Sequence, residues 1–149
     1  MLRVSSRPRR RVVVDTNSWI SNFIGPHSLV AQRLGRLLAN DEVQVLFSEG
    51  LREEILRVVQ RPKFSRYISP AQLAIYVRQI RAYLLTPVTS VVTACRDDND
   101  NFLLALCQDG HANFLITGDQ DLLVLGHFGS TRILSWAEAE AEPSLLATA

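Results

Sequence analysis

A chain of 149 residues with 47% hydrophobic content has the size and composition of one globular domain, able to bury a core without disulfides. No apolar run approaches the roughly 18 residues of a membrane span, and Cys95 and Cys107 lie among apolar neighbours, as reduced thiols of a cytoplasmic protein do. The net charge of +1 conceals +9 in residues 1–96 and −8 in residues 97–149, which indicates either a nucleic-acid partner or charges that intermingle on folding.

Strand and helix patterns alternate along the first part of the chain. Residues 11–15 are a β-branched run ending at a carboxylate, which predicts a buried parallel strand. Ser28 then caps a helix with apolar residues at helical spacing, and residues 43–47 form a second strand. A second helix follows over residues 49–60, and Pro62 prevents its continuation.

The same alternation continues to the end of the chain. Ser69 and Pro70 start a helix that runs to about Leu85 with a stripe of core residues. The later elements are a strand at 88–93, a helix from 98 or 99 to about 110, a strand at 113–117, a short helix within 118–125, a strand at 131–134 and a helix after Ser135. We therefore expect a flexible basic arm (1–10), one domain (11–141) and a frayed tail (142–149).

Three acids lie where ligands bind in this fold class. Strands that alternate with helices predict an α/β fold with a parallel sheet covered on both faces. Asp15 ends the first strand, Asp100 opens the helix after the third and Asp119 follows the fourth. Right-handed crossovers bring the carboxyl ends of the strands to one edge of the sheet, so these acids are expected to lie close together.

Helix geometry separates the two glutamates of the 49–60 helix. Glu54 is three residues after Leu51 and four before Val58, which places it at the edge of the apolar face, whereas Glu53 lies on the opposite, solvated side. A carboxylate at a half-buried edge needs a partner, either an arginine or a metal. Glu54 is therefore the candidate site residue of the pair.

Ordinary structural roles remain open for each acid taken alone. Asp15 can start a turn or cap a helix, and acids are favoured in the first turn of a helix, as in the Asp97 to Asp100 segment. Asp119 and Asp121 form an Asp-x-Asp turn that is common in proteins. One cap accounts for one acid, however, and several acids at one sheet edge indicate a common site.

Clustered carboxylates repel one another, and divalent cations relieve that repulsion. Ligands that are all oxygen select hard ions such as Mg²⁺ or Mn²⁺. The three histidines, His27, His111 and His127, lack zinc-ligand spacing. The sequence therefore predicts a magnesium or manganese site.

Five short blocks follow one another along the chain. The blocks are Val12-Val13-Val14-Asp15-Thr16-Asn17, then Ser48 with Glu53-Glu54-Ile55, Arg61-Pro62-Lys63-Phe64, Arg96-Asp97 with Asp100, and Leu115-Ile116-Thr117-Gly118-Asp119-Gln120-Asp121-Leu122-Leu123. In this order they resemble the PIN-domain ribonucleases, and most closely the branch of toxins from bacterial type II toxin–antitoxin pairs. The resemblance covers roughly residues 11–136.

The resemblance implies a three-layer sandwich with a five-stranded parallel sheet in the order 3-2-1-4-5, and metal-dependent cleavage of single-stranded RNA. It also implies a homodimer and a cognate antitoxin protein as partner. The acidic quartet corresponds to Asp15, Glu54, Asp100 and Asp119, with Asp121 as a further metal ligand. The supporting polar positions are Thr16, Asn17, Thr117 and Asp97.

RNA binding at such a site needs positive charge, because bare carboxylates repel phosphate. The candidates that flank the acids are Arg52, Arg57 and Arg96. Two other functions remain open. A phosphatase of the haloacid dehalogenase type needs a second acid where Asn17 stands and a catalytic lysine, and Lys63 is the single lysine of the chain. A PIN fold that binds without catalysis is the other alternative.

Overall fold

The computed structural model describes residues 8–148. Most of the predicted basic arm, including Arg3 and Arg7, lies outside the described residues. The elements are β1 (Arg10–Val14), α1 (Thr16–Ile24), α2 (Leu29–Leu38), β2 (Val43–Val45), α3 (Glu49–Val59), a 3-10 turn (Pro62–Phe64), α4 (Pro70–Arg81), α5 (Asp98–Asp109), β3 (Phe114–Ile116), α6 (Gln120–Leu123), β4 (His127–Phe128), β5 (Thr131–Leu134) and α7 (Trp136–Ala141).

The five strands form one mixed sheet in the order β2-β1-β3-β5-β4. β1 pairs in parallel with β2 and β3, β3 pairs in parallel with β5, and β4 is antiparallel to β5. The prediction of an α/β fold is confirmed, but that of an all-parallel sheet in the order 3-2-1-4-5 is wrong. The predicted strand at 88–93 is absent, and β4 is an added edge strand that turns back into β5 at Gly129, where φ is +57°.

The segment predicted as the third strand is held by α5 instead of the sheet. The carboxylate of Asp109, near the end of α5, accepts hydrogen bonds from the backbone N–H groups of Thr89 (2.7 Å) and Ser90 (3.0 Å) and from the Ser90 hydroxyl. Pro87, just before them, has no N–H to donate to a ladder. The contact with the β2 side of the sheet comes before this segment, as one bridge between Phe47 and Leu85.

Helix α1 was not predicted from the sequence. Its residues are rich in asparagine, serine, threonine and β-branched types, which have low helix propensity. Tertiary packing overrides that propensity, because Trp19, Ile20 and Phe23 are all buried. α1 follows β1 directly, so the carboxyl end of β1 opens onto a helix N-terminus.

The core lies around β1, where Val12, Val13 and Val14 are fully buried between layers of helices. The cysteines are free, with Cys107 buried and Cys95 half-buried. Within residues 8–148, none of the helices combines the length and apolar character needed to cross a bilayer.

The C-terminal segment, predicted to be frayed from Glu142, is packed in the structure. Leu145 is fully buried and Leu146 is 9% exposed. The side chain of Asn40 donates to the carbonyls of Ser144 and Leu145, both at 2.9 Å. The two adjacent leucines are the feature of the sequence from which this burial could have been predicted.

Truncating Leu145 to alanine should reduce the free energy of unfolding by roughly 2 to 4 kcal/mol, because a fully buried side chain leaves a cavity. Leu29→Ala is the matched control, since Leu29 is 57% exposed. Urea unfolding of both variants measures the difference. Equal, small effects would show that residues 142–148 add nothing to the stability of the domain.

Candidate active site

A cleft of about 240 Å³ lies at the carboxyl ends of β1 and β3. It is lined by all four acids that the sequence singled out, Asp15, Glu54, Asp100 and Asp119. The four predicted supporting residues, Thr16, Asn17, Asp97 and Thr117, line the same cleft. The sheet topology and two helices, α3 and α5, therefore bring together side chains more than a hundred residues apart.

Asp15 caps a helix and also lines the cleft. Its Oδ1 accepts a hydrogen bond from the backbone N–H of Ser18 (2.9 Å), so it is the N-cap of α1. Its Oδ2 accepts from the hydroxyl of Thr117 (2.7 Å) and the backbone N–H of Gly118 (3.2 Å). The carboxylate is buried and held by three donors in a fixed orientation at the floor of the cleft.

Thr117 links two of the acids. Its hydroxyl donates to Asp15 and accepts a hydrogen bond from the backbone N–H of Asp119 (3.0 Å). Asp119 in turn caps α6 by accepting from the N–H of Asp121 (2.9 Å). Thr117 is fully buried, so its hydroxyl fixes the spacing between the ends of β1 and β3.

Three carboxylates approach one another most closely. Asp100, Asp119 and Asp121 each offer an oxygen, and these oxygens lie within 4.8 Å of one another. Burial raises the pKa of Asp100 to about 6, and the charge of Asp119, a hydrogen bond with it, and the charges of Asp97 and Asp121 add to the effect. The cluster is therefore electrostatically strained when it holds no cation.

One oxygen of this cluster lacks a partner. Oδ2 of Asp100 is buried and has no hydrogen-bond partner in the structure. A buried, unpaired carboxylate oxygen is costly, and a cation compensates it. Donors that are all oxygen fit a hard divalent ion such as Mg²⁺ or Mn²⁺. The residues present thus fit the metal that the sequence predicted.

Helix α3 places its two glutamates as its apolar face predicts. Glu54 is half-buried and lines the cleft. Glu53 is exposed and lies near Arg52 (3.5 Å) and Arg81 (3.7 Å), outside the cleft lining. Glu54 is thus available to the acidic site and Glu53 is not.

The arginines proposed to bind RNA lie in different places. Arg57 lines the cleft, whereas Arg52 is next to Glu53, and Arg96 is an exposed side chain 3.6 Å from Asp121. Arg61 also lines the cleft and was not among the candidates. Its spacing of seven residues from Glu54 is compatible with this position, but Arg61 lies beyond the end of α3 and the sequence did not single it out.

Comparison with known protein families identifies the fold family of most of the chain. The model of a family described as PIN domain matches residues 11–121, from β1 through the first turn of α6. The matched range contains all four predicted catalytic acids and Asp121. A comparison with curated proteins finds no match.

Proposed function

The chain belongs to the PIN domain family, and on that premise we propose that it is a metal-dependent endoribonuclease that hydrolyses phosphodiester bonds of single-stranded RNA. PIN domains are generally metal-dependent nucleases. The observation that carries the proposal is the acidic cluster at the sheet edge, with its unpaired Asp100 oxygen.

The residues that would hold Mg²⁺ or Mn²⁺ are Asp100, Asp119 and Asp121, with Asp15 and Glu54 on the neighbouring walls of the cleft. A divalent ion bound there supplies an activated water and charge neutralisation at the phosphate and the leaving oxygen. The cleft by itself carries five acids and two arginines, so its formal charge without metal repels RNA.

The protein itself contributes a fixed orientation of the acids. Asp15 is held by its three donors, and Thr117 sets its spacing from Asp119. Hydroxyls and carboxylates that are tied up in such hydrogen bonds are suited to orienting a metal and its water, and we propose direct hydrolysis by water as the reaction.

We further propose that the protein is the toxin of a toxin–antitoxin pair, acts in the cytoplasm, forms a homodimer and binds a cognate antitoxin. Exposed apolar side chains support a protein interface. Ile75 on α4 is 53% exposed. Leu84, predicted to extend the core stripe of α4, is 89% exposed because the helix ends at Arg81.

The two glutamates of α3 provide a matched test of the proposed function. Glu54→Gln should reduce cleavage of single-stranded RNA by about 100-fold or more, since even groups that only support a metal ligand are worth 10- to 100-fold. Glu53→Gln should leave cleavage nearly unchanged, because its carboxylate lies outside the cleft. Equal losses of activity in the two variants, or a larger loss for Glu53→Gln, would show that Glu54 has no special role in the site.

A further inference from the structure

A continuous stretch of the chain beside the cleft is free of acids. Residues 55–96 contain seven arginines and lysines and no aspartate or glutamate. This stretch includes the second half of α3 and the 3-10 turn after it. The part of it next to the cleft therefore adds positive charge beside a site whose other charged residues are all acids.

Two of these cations belong to the cleft itself. Glu54, Arg57 and Arg61 follow one another at spacings of three and four residues, which puts them along one side of α3 and its extension. The backbone N–H of Arg61 still donates to the carbonyl of Val58 (3.1 Å), so Arg61 closes a last turn after α3 before the backbone becomes extended at this residue. Both arginines line the cleft and both are exposed.

Neither arginine is neutralised by the acids nearby. Within residues 8–148, the ion pairs involve other arginines, and neither Arg57 nor Arg61 is within salt-bridge distance of a carboxylate. Five carboxylates line the same cleft, so the two arginines are unpaired because of where their side chains lie and not because acids are missing. The two guanidinium groups are available to an anionic ligand that enters the cleft.

The basic surface continues to an exposed aromatic ring. Successive turns join Phe64 N–H to the Arg61 carbonyl (3.0 Å) and Tyr67 N–H to the Phe64 carbonyl (2.9 Å). Tyr67 therefore follows Arg61 by six positions, across the 3-10 turn Pro62–Phe64 and one further turn. Tyr67 is 54% exposed, and the guanidinium carbon of Arg66 lies 5.4 Å from its ring centroid.

We propose that single-stranded RNA leaves the cleft over a basic track formed by Arg57, Arg61, Arg66 and Tyr67, a proposal that rests on the nuclease function proposed above. The arginines bind backbone phosphates beside the scissile one, and the ring of Tyr67 stacks on an unpaired base. Cations interleaved with an exposed aromatic ring suit unpaired nucleotides, because bases in a duplex offer no free face. An acidic protein segment could pair with the arginines, but it would have no base to stack on the ring of Tyr67.

The track is tested by binding, separately from cleavage. Fluorescence anisotropy of a labelled single-stranded RNA is measured with Mg²⁺ in an Asp119→Asn background, in which hydrolysis is expected to be slower by about 100-fold or more. Tyr67→Ala should weaken binding by about fivefold or more, the worth of one stacked base, while Tyr67→Phe should bind as the background does. Arg78→Ala is the matched control, because Arg78 is an exposed cation on α4 outside the cleft.

Salt dependence distinguishes the two kinds of contact. Arg61→Ala should flatten the slope of log affinity against log salt by about 0.7, the value for one phosphate contact with a single strand. Tyr67→Ala should weaken binding without changing that slope. Because all the replaced side chains are exposed, thermal unfolding of each variant is expected to match that of the background protein.

The outcomes separate the track from the nuclease activity. If the unmodified protein cleaves RNA but Tyr67→Ala and Arg61→Ala bind it as tightly as the Arg78→Ala control, the track is wrong and the nuclease remains. Equal affinity for a duplex of the same sequence also overturns the track. If the background protein does not bind RNA and the unmodified protein does not cleave it, both proposals fail.

Discussion

Replacing Asp119 with asparagine is expected to reduce hydrolysis of single-stranded RNA by about 100-fold or more, because a direct metal ligand should be worth at least as much as the groups that support one. Asp119 belongs to the closest group of carboxylates, whose oxygens lie within 4.8 Å of one another. Asparagine is as good an N-cap as aspartate, so the start of α6 should persist. Initial rates of RNA cleavage with Mn²⁺ measure the effect.

Asp98→Asn is the control for this variant. Asp98 is an exposed acid in the first turn of α5, close in sequence to Asp100, but it does not line the cleft. Its replacement removes the same formal charge and should leave most of the activity. Comparable losses in the two variants would show that activity depends on the overall negative charge of this region and not on a defined ligand.

Replacing Asp100 with asparagine is expected to change stability in opposite directions with and without metal. In the metal-free protein, the buried carboxylate is destabilised by its burial and by Asp119, which raises its pKa from 3.8 to about 6. Removing the charge relieves this penalty at neutral pH, less the cost of burying the amide. Thermal unfolding in EDTA should therefore show a variant at least as stable as the parent.

The pH dependence follows from the direction of that pKa shift. Between about pH 4 and pH 6 the folded protein keeps a proton on Asp100 that the unfolded chain has lost, so the stability of the metal-free protein falls as the pH rises through this range. Asp100→Asn should show a flatter profile over the same range. A variant profile as steep as that of the parent would assign the dependence to another group.

Added Mn²⁺ should reverse the order of stability. Ligand at about 100 times its dissociation constant stabilises a folded protein by about 2.7 kcal/mol. The parent should gain that stabilisation and Asp100→Asn should lose most of it, since the variant lacks the unpaired oxygen that a cation would satisfy. Equal stabilisation of both proteins by Mn²⁺ would place the metal elsewhere.

The haloacid dehalogenase-type phosphatase is not supported by the arrangement of the cleft. Asn17 stands where that chemistry needs a second acid and lines the cleft as an amide. Lys63 lies in the 3-10 turn with its ammonium 5.0 Å from the Phe64 ring centroid, outside the cleft lining. No described lysine is therefore positioned to face a phosphoryl group next to Asp15.

The positions of the acids could be predicted from the sequence because each rests on a local rule. Asp15 and Asp119 follow buried strands, and parallel strands place such residues at one sheet edge. The phase of α3 separated Glu54 from Glu53 because the apolar stripe of that helix is regular. Strand ends and helix faces therefore carried most of the information about the candidate site.

The parts that sequence reasoning missed depend on contacts between distant residues. The strand expected at 88–93 is diverted by Asp109, and nothing local to those residues indicates this partner. α1 forms from residues of low helix propensity because the core covers Trp19 and Phe23. Arg61 lies beyond the last residue of α3, and only its place on the wall of the cleft gives it a role.

The basic and acidic parts of the sequence both contribute charged side chains to the cleft. The basic part of the chain contributes Arg57 and Arg61 through α3 and its extension, and the acidic part contributes Asp97, Asp100 and Asp119. The two parts thus meet at one cleft, and the proposed nuclease would need both kinds of group there, acids for the metal and arginines for phosphate.

The most direct test is cleavage of a long single-stranded RNA by the purified protein in Mn²⁺ and in EDTA, with Asp119→Asn purified in parallel to detect contaminating nucleases. The proposed site predicts fragments with Mn²⁺, none with EDTA and none from the variant, because the clustered carboxylates act through a bound cation. Cleavage that persists in EDTA, or intact RNA after incubation of the parent with Mn²⁺, would contradict a metal-dependent nuclease site in this cleft.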